Sequence, residues 1–297
     1  GTYIFTWTVT NGNCVSVDQI SVNFYEQPVA DAGSGGDECD LDFTFSAESS
    51  VGSGQWTYTG PGVAVFADDA DPNTDVAVDT YGPYNFTWTE TNGTCSDSES
   101  ILVNFYEQPT ADAGTGGDEC DLDFSLTGTA SVGVGLWTAS GPGVATFVND
   151  LSASTDVTVS TYGTYVFTWT EISGTCTDAA SVTVNFYEQP VAVAGQGGSE
   201  CDLDFLLQAS PSVGSGQWSL SNGPGNASFN NSSSPIALVT VDTYGVYEFE
   251  WTETNGTCVD SRTTTVSFFE QPVANAGVGG EVCVLDFGLS AVPSVGS

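Results

Sequence analysis

Carboxylates and cysteines are the residues in this sequence whose types and numbers could support chemistry. The chain has 38 Asp and Glu residues, no His, and a single cation, Arg262. A nucleophile–His pair or a Lys base is therefore not available for catalysis. Two carboxylates alone can hydrolyse a glycoside. Here, however, similar acids recur along the chain while their identities drift, which favours a protein that is not an enzyme.

The formal net charge of −37 restricts the partners of the chain. Nucleic acids and anionic membrane surfaces are bound through Lys and Arg, so neither is predicted as a partner. No apolar run reaches the length of about 18 residues that a membrane span needs, and we predict no membrane insertion. Because 40% of the residues are hydrophobic and 12% are aromatic, the acidic chain is expected to form a packed core.

Two clusters of carboxylates are weak candidates for a Ca²⁺ site, since hard oxygen ligands suit that ion. The first cluster precedes a predicted strand and consists of Asp37, Glu38, Asp40 and Asp42. The second cluster lies in a predicted loop and consists of Asp68, Asp69 and Asp71. The corresponding places later in the chain hold Ser, Val or Asn in several cases, so a solvated strand face and a solvated loop are the simpler interpretations. We predict no cofactor.

The cysteines form two series that each follow the internal repeat described below. They stand at Cys14, Cys39, Cys95, Cys120, Cys176, Cys201, Cys258 and Cys283. The sequence contains no Cys-x-x-Cys motif and no His, which argues against a zinc site. An even number of regularly spaced cysteines instead indicates disulfides and an oxidising, extracellular setting.

An internal repeat of about 81 residues divides the chain. Its clearest marker is the motif NFYEQP at Asn23, Asn104 and Asn185, with the variant SFFEQP at Ser267. The predicted domains are three whole repeats and two partial ones, at residues 1–27, 28–108, 109–189, 190–271 and 272–297. Because both ends fall inside a repeat and the chain has no Met, we expect it to be a piece of a longer array.

Each whole repeat has the pattern of a small all-β domain. In residues 28–108 about seven short strands are separated by turns, among them a hairpin at Asn92-Gly93. Val29–Gly33 is predicted as a first, edge strand. Tyr84 stands two residues before an inward Phe, as in the tyrosine corner of immunoglobulin-like sandwiches. The alternating aromatics are predicted as core rather than as a platform for stacking sugars.

The predicted topology bears on the pairing of the cysteines. It puts Cys39 at the base of its domain and Cys95 at the top, about 30 Å away, whereas bridged Cα atoms lie within about 7 Å. This favours interdomain pairs, with intradomain pairs or reduced or intermolecular thiols as alternatives. The interdomain pairs are Cys39–Cys176 and Cys120–Cys258; the intradomain pairs are Cys39–Cys95, Cys120–Cys176 and Cys201–Cys258.

The order of motifs resembles a known repeat family. PVADAG, a Cys, W-x-x-x-GPG and YGxYxFTWTExNGTC follow one another from Pro28 to Cys95. This order resembles the PKD-like repeats of giant Bacteroidetes cell-surface adhesins of the SprB gliding-motility type. The resemblance implies type IX secretion, an outer-membrane-anchored place on the cell surface and a stalk role in attachment during gliding. It also implies contact with motility or anchoring machinery and with surface polysaccharide through regions outside this piece.

The sequence thus predicts tandem immunoglobulin-like (PKD-like) β-sandwich repeats that form an elongated rod and serve as the stalk of an adhesin filament. Very short links between repeats, with Tyr106 padding the joint, would make the rod stiff. The main alternative is a repeated ligand-binding array, in which each unit binds polysaccharide or Ca²⁺. A third is a filament in which several chains pack side by side, which the charge disfavours.

Overall fold

The computed structural model describes residues 1–295 of the chain. In this range all regular structure is β, so the all-β prediction is confirmed. No helix in this range is long and apolar enough to cross a membrane.

The strands fall into groups that follow the repeat. The first hairpin consists of β1 (Thr2–Asn11) and β2 (Cys14–Asn23). Residues 28–108 contain β3 (Gly36–Glu38), β4 (Asp42–Thr44), β5 (Ser53–Thr59), β6 (Ala64–Phe66), β7 (Asp75–Val78), β8 (Gly82–Asn92) and β9 (Cys95–Phe105). Residues 109–189 contain β10 (Gly117–Glu119), β11 (Asp123–Thr127), β12 (Val134–Ser140), β13 (Ala145–Phe147), β14 (Ser154–Val159), β15 (Gly163–Ser173) and β16 (Cys176–Phe186). Residues 190–271 contain β17 (Gly198–Glu200), β18 (Asp204–Gln208), β19 (Ser215–Asn222), β20 (Ala227–Phe229), β21 (Ile236–Val241), β22 (Gly245–Asn255) and β23 (Cys258–Phe268), and a last pair is β24 (Ala274–Asn275) with β25 (Val292–Pro293).

Each whole unit is a sandwich of two sheets with one strand order. In the first unit a four-stranded sheet has the order β3-β9-β8-β5, and a three-stranded sheet has the order β4-β7-β6. The short first strand β3 runs parallel to the last strand β9, and the other pairs are antiparallel. The second and third units repeat this order, so the fold is a tandem array of immunoglobulin-like sandwiches.

The predicted first strand, Val29–Gly33, is not a strand. Only Asp31 makes a ladder bridge, to Glu48, and regular pairing begins at Gly36. The amides of Ala30 and Ala32 donate instead to carboxylates of the last strand, at 2.9 and 2.8 Å. Gly33 then turns the chain with a φ of 75°. The prediction was wrong because side-chain acceptors take the donors that a ladder would need.

The core of each unit is a pair of tryptophans surrounded by other aromatics. Trp56 and Trp88 lie opposite each other on neighbouring strands, with ring centroids 5.3 Å apart. Both are at most 1% exposed, as are Tyr84 and Phe86. Burial of each such side chain stabilises the unit by about 1.5–3 kcal/mol. These aromatics are therefore core residues, as predicted, and not an exposed sugar platform.

The tyrosine corner predicted from the sequence is confirmed. The hydroxyl of Tyr84 donates to the carbonyl oxygen of Thr80 at 3.1 Å. Tyr165 and Tyr247 make the same bond four residues upstream. The corner fixes the loop that enters the long hairpin of each unit.

The long hairpin turns one residue later than the Asn-Gly signal indicates. Asn92 is the last residue of β8, and Gly93, with a φ of 64°, is the first residue of the turn. A single glycine at positive φ in the first turn position is the pattern of a type II′ turn rather than a type I′ turn. The shift frees the side chain of Asn92 for a contact with the preceding unit.

Candidate functional site: the joint between units

The joint between consecutive units is where the NFYEQP motif meets the long hairpin of the next unit. The ring of Tyr106 lies flat over Gly174, so close that a Cβ atom on the glycine would come within 2.4 Å of the ring. Tyr25 covers Gly93 and Tyr187 covers Gly256 in the same way. Only glycine fits here, because the backbone also has a positive φ. The prediction that Tyr106 pads the joint is confirmed.

Polar side chains fix the same joint from both directions. The side-chain amide of Gln108 donates to the carbonyl oxygen of Thr177 at 3.0 Å. The corresponding residues Gln27 and Gln189 donate to Ser96 and Val259 at 2.9 and 3.0 Å. In the opposite direction, Asn92 and Asn255 donate to the carbonyl oxygens of Glu26 and Glu188, at 2.9 and 2.8 Å. At the middle joint Ser173 takes the place of this asparagine.

The first residues of each unit are held as soon as the chain crosses the joint. In the second unit Pro109 is buried. The amide of Thr110 donates to Ser131 Oγ, and the amide of Ala111 donates to Asp178 Oδ2, both at 2.8 Å. The same pair of bonds recurs in the other whole units. The link between units therefore contains almost no free residues.

A buried carboxylate stands behind this contact in every whole unit. Glu171 is 1% exposed and accepts from Trp169 Nε1 at 2.9 Å and from the amide and hydroxyl of Ser131. Burial raises the pKa of Glu171, but the hydrogen bonds from Ser131 and Trp169 outweigh it and hold the pKa below the ordinary value. Glu90 and Glu253 have the same surroundings and the same direction of shift.

Sequence reasoning missed this carboxylate. Glu90 continues the inward alternation of Tyr84, Phe86 and Trp88, and that position was the available signal. Its partner Ser50 lies 40 residues away in the sequence, in a loop that no pattern connects to it. The hydroxyl of Ser50 also accepts the amide of Val29, so the carboxylate anchors the chain just past the joint.

Two disulfides cross the joints. Cys39 bonds to Cys176 and Cys120 bonds to Cys258, each with Cα atoms 5.5 Å apart. These are the pairs of the interdomain hypothesis, in which the base of one unit meets the top of the next. We call the bond between Cys39 and Cys176 the first staple and the bond between Cys120 and Cys258 the second staple.

The intradomain pairs Cys39–Cys95, Cys120–Cys176 and Cys201–Cys258 are not formed. Cys14, Cys95, Cys201 and Cys283 have free thiols in the described structure. The reason is geometric: the two cysteines of one unit lie at opposite ends of an eleven-residue strand such as β9. At about 3.3 Å per residue that strand is several times longer than a disulfide can span.

The candidate Ca²⁺ ligands do not converge. Within residues 1–295 no group of three or more acidic, Cys or His side chains is placed to hold a metal ion. The acids are used locally: Asp37 accepts from Asn104, and Asp69 accepts from Gln55. Asp40, Asp68 and Asp71 each accept a backbone amide two residues further on.

Glu38, Asp40 and Asp42 instead line an open groove of about 740 Å³ on the three-stranded sheet of the first unit. On this face Thr44 donates to Asp75 at 2.6 Å. In the third unit the places of these two residues are taken by Leu206 and Leu238, which pair across the strands. The second unit keeps the groove, lined by Glu119, Asp123 and Asp156, and Ser125 donates to Asp156 there at 2.6 Å. Because the third unit has the two leucines instead, the groove is not common to the three whole units.

No family model and no curated protein matches the chain. Among solved structures it is similar to a three-domain I-band fragment of titin, at 12% identity and a TM-score of 0.41 over 82% of this chain and 99% of that one. It is also similar to Drosophila OTK extracellular domains 3–5, at 9% identity and a TM-score of 0.35 over 81% and 97% of the two chains. Sidekick-1 immunoglobulin domains 1–4 match at 12% identity and a TM-score of 0.37 over 90% and 82%. The immunoglobulin-like fold of this chain rests on its own strand order, register and tyrosine corners.

Proposed function

We propose that the chain is part of the stalk of an extracellular cell-surface adhesin filament, with a mechanical role and no catalytic one. The observation that carries the proposal is the joint. Tyrosine on glycine, a glutamine hydrogen bond and a disulfide recur at consecutive joints of whole units. Each of these contacts restricts rotation of one unit against the next, and repeated restriction makes a stiff spacer.

The exposed surface supports an extended shape. The accessible area is 17255 Å². A compact monomer of 30.8 kDa would expose about 12,000 Å². Part of the excess comes from the partial repeats at the two ends, where Trp7 is 73% exposed, and part from the row of small sandwiches, since each keeps its own surface. The strong negative charge, for its part, keeps neighbouring rods apart and in solution.

Disulfides persist in oxidising compartments, which supports a place outside the cytoplasm. The motif order supports a finer assignment, to the gliding-motility adhesins of Bacteroidetes, exported by type IX secretion and anchored at the outer membrane. On this proposal the partners are further repeats of the same chain along the stalk. Anchoring or motility machinery and surface polysaccharide are contacted by regions beyond it.

Immunogold electron microscopy of intact source cells tests the proposal. Antibodies raised against the chain should label thin filaments that extend from the cell surface. Labelling confined to the cell interior would overturn it. A glycan array and calorimetry with Ca²⁺ complete the test, because saturable binding at one site per unit would replace the stalk with a ligand-binding array.

A further inference from the structure

The two staples overlap along the chain. The first joins residues separated by 137 positions and the second joins residues separated by 138. The order along the chain is Cys39, Cys120, Cys176 and Cys258, so each loop begins or ends inside the other. Two separate loops in series would not have this property.

The overlap changes how the chain connects its two ends. Bonding fuses Cys39 with Cys176 into one covalent point and fuses Cys120 with Cys258 into a second. Three segments of polypeptide then run between the same two points: residues 39–120, residues 120–176 in the reverse direction, and residues 176–258. The points lie at the two ends of the second unit, because Cys176 begins the last strand at its top and Cys120 lies at its base.

From this connectivity we infer a further function for the joints: the staples limit how far the stalk can be drawn out under tension. The biological use of this limit rests on the proposed load-bearing role of the stalk, whereas the limit itself follows from the disulfide connectivity alone. The two points cannot separate by more than the shortest segment allows. That segment has about 56 residues, or about 190 Å at the full reach of a chain. Without staples the same points are joined by about 219 residues, or about 750 Å.

Sharing of load follows from the same arrangement. A pull on the ends of the chain passes through three parallel segments between the staples. The segments divide the tension while the units are folded, and the shortest segment becomes taut first when all of them are unfolded. When the second unit unfolds, the distance between the two points is limited to the reach of the segment of about 56 residues, about 190 Å, instead of the roughly 280 Å of a whole unit. A stalk built in this way gains less length when one of its domains opens than a stalk without staples.

Single-molecule force spectroscopy of the full chain, held at its termini, tests the inference. Replacing both cysteines of one staple by Ser, at Cys39 and Cys176 or at Cys120 and Cys258, should lengthen the unfolded chain only slightly. The gain is about 25 residues, or about 80–95 Å. Removal of the remaining staple should then add about 137 residues, or about 450–500 Å. Cys201→Ser is the matched control and should add nothing, because that thiol is free.

This strong non-additivity is specific to overlapping loops. Equal gains from the first and the second removal would overturn the inference, and so would an oxidised chain that extends as far as the reduced one. Adding reductant to the wild-type chain during pulling gives the same total gain without any substitution, which covers the case in which a variant does not fold. The two tests are independent. Extension lengths that contradict the inference would not change the immunogold result, and a negative immunogold result would not change the extension lengths.

Discussion

Replacing the buried carboxylate of the second unit is the change that most directly probes the anchor behind the joint. Glu171→Gln keeps the size of the side chain but removes the charge and one acceptor oxygen. The amide and hydroxyl of Ser131 and the indole of Trp169 all point at that carboxylate. In the variant at least one of these donors meets an amide NH₂ group and is left without an acceptor.

The structure sets the magnitude of the loss. A hydrogen bond to a charged group contributes about 1.5–3 kcal/mol, and an orphaned buried donor costs about 1–3 kcal/mol. We therefore expect the second unit of Glu171→Gln to lose about 2–4 kcal/mol at neutral pH. For a domain of this size that corresponds to a fall in melting temperature of roughly 10–25 °C.

Acid should narrow the difference between the wild-type protein and the variant. The pKa of Glu171 in the folded unit lies below its ordinary value. A group with a depressed folded pKa stabilises the fold above its unfolded pKa, and this contribution disappears as the pH falls through the folded pKa. The wild-type unit should therefore lose stability through that acid range, while the variant has no such ionisation to lose.

Urea unfolding followed by peptide-resolved hydrogen exchange measures this, because it separates the second unit from its neighbours. Glu188→Gln is the matched control: the residue is exposed, and only its backbone carbonyl serves the joint. Its effect should stay within about 0.5 kcal/mol. A Glu171→Gln loss no larger than the control, or one that does not change with pH, would refute the role assigned to the carboxylate.

Three further changes test other contacts by melting curves and hydrogen exchange. Gly174→Ala should lower the free energy of unfolding by about 2–4 kcal/mol, because of the positive φ and the overlap with the ring of Tyr106. In a Tyr106→Ala background only the contribution of φ, about 1–2 kcal/mol, should remain. Equal losses in the two backgrounds would disprove the overlap. Trp137→Phe should lower the free energy of unfolding by about 1–2 kcal/mol more than Trp56→Phe does. The reason is that Trp137 Nε1 donates to two carbonyl oxygens, whereas Trp56 Nε1 is buried without a partner in the described structure. A larger loss from Trp56→Phe would contradict this. Tyr165→Phe should lose about 1 kcal/mol with its corner hydrogen bond, and an unchanged stability would show that the corner contributes nothing.

Much of the fold could be predicted because the sequence repeats its own pattern. Alternation of Tyr84, Phe86 and Trp88 identifies the buried face of a strand, and the period aligns that face with its copies. The tyrosine corner could be predicted because Tyr84 stands two residues before an inward Phe, and its partner Thr80 is only four residues upstream. The pairing of Cys39 with Cys176 emerged as a hypothesis once the topology placed the two cysteines of one unit at opposite ends.

What could not be predicted depends on partners that are distant in sequence. The segment Val29–Gly33 looked like a strand, but the carboxylates of Asp97 and Glu99, about 67 residues later, bind its amides. The acids from Asp37 to Asp42 are only weak Ca²⁺ candidates in the sequence, and which neighbours accept or donate to them depends on tertiary contacts such as that between Asp37 and Asn104. A one-residue insertion in the third unit is absorbed by a register shift between Leu220 and Asn222, which composition does not reveal.

The central claim is that the units are held in one fixed arrangement by their joints, and small-angle X-ray scattering of the oxidised chain tests it most directly. The account predicts that one rigid set of coordinates for the three whole units fits the scattering curve, and that reduction of the staples broadens the distribution of interatomic distances. A curve that requires a wide ensemble of interdomain angles while both staples are intact would contradict it.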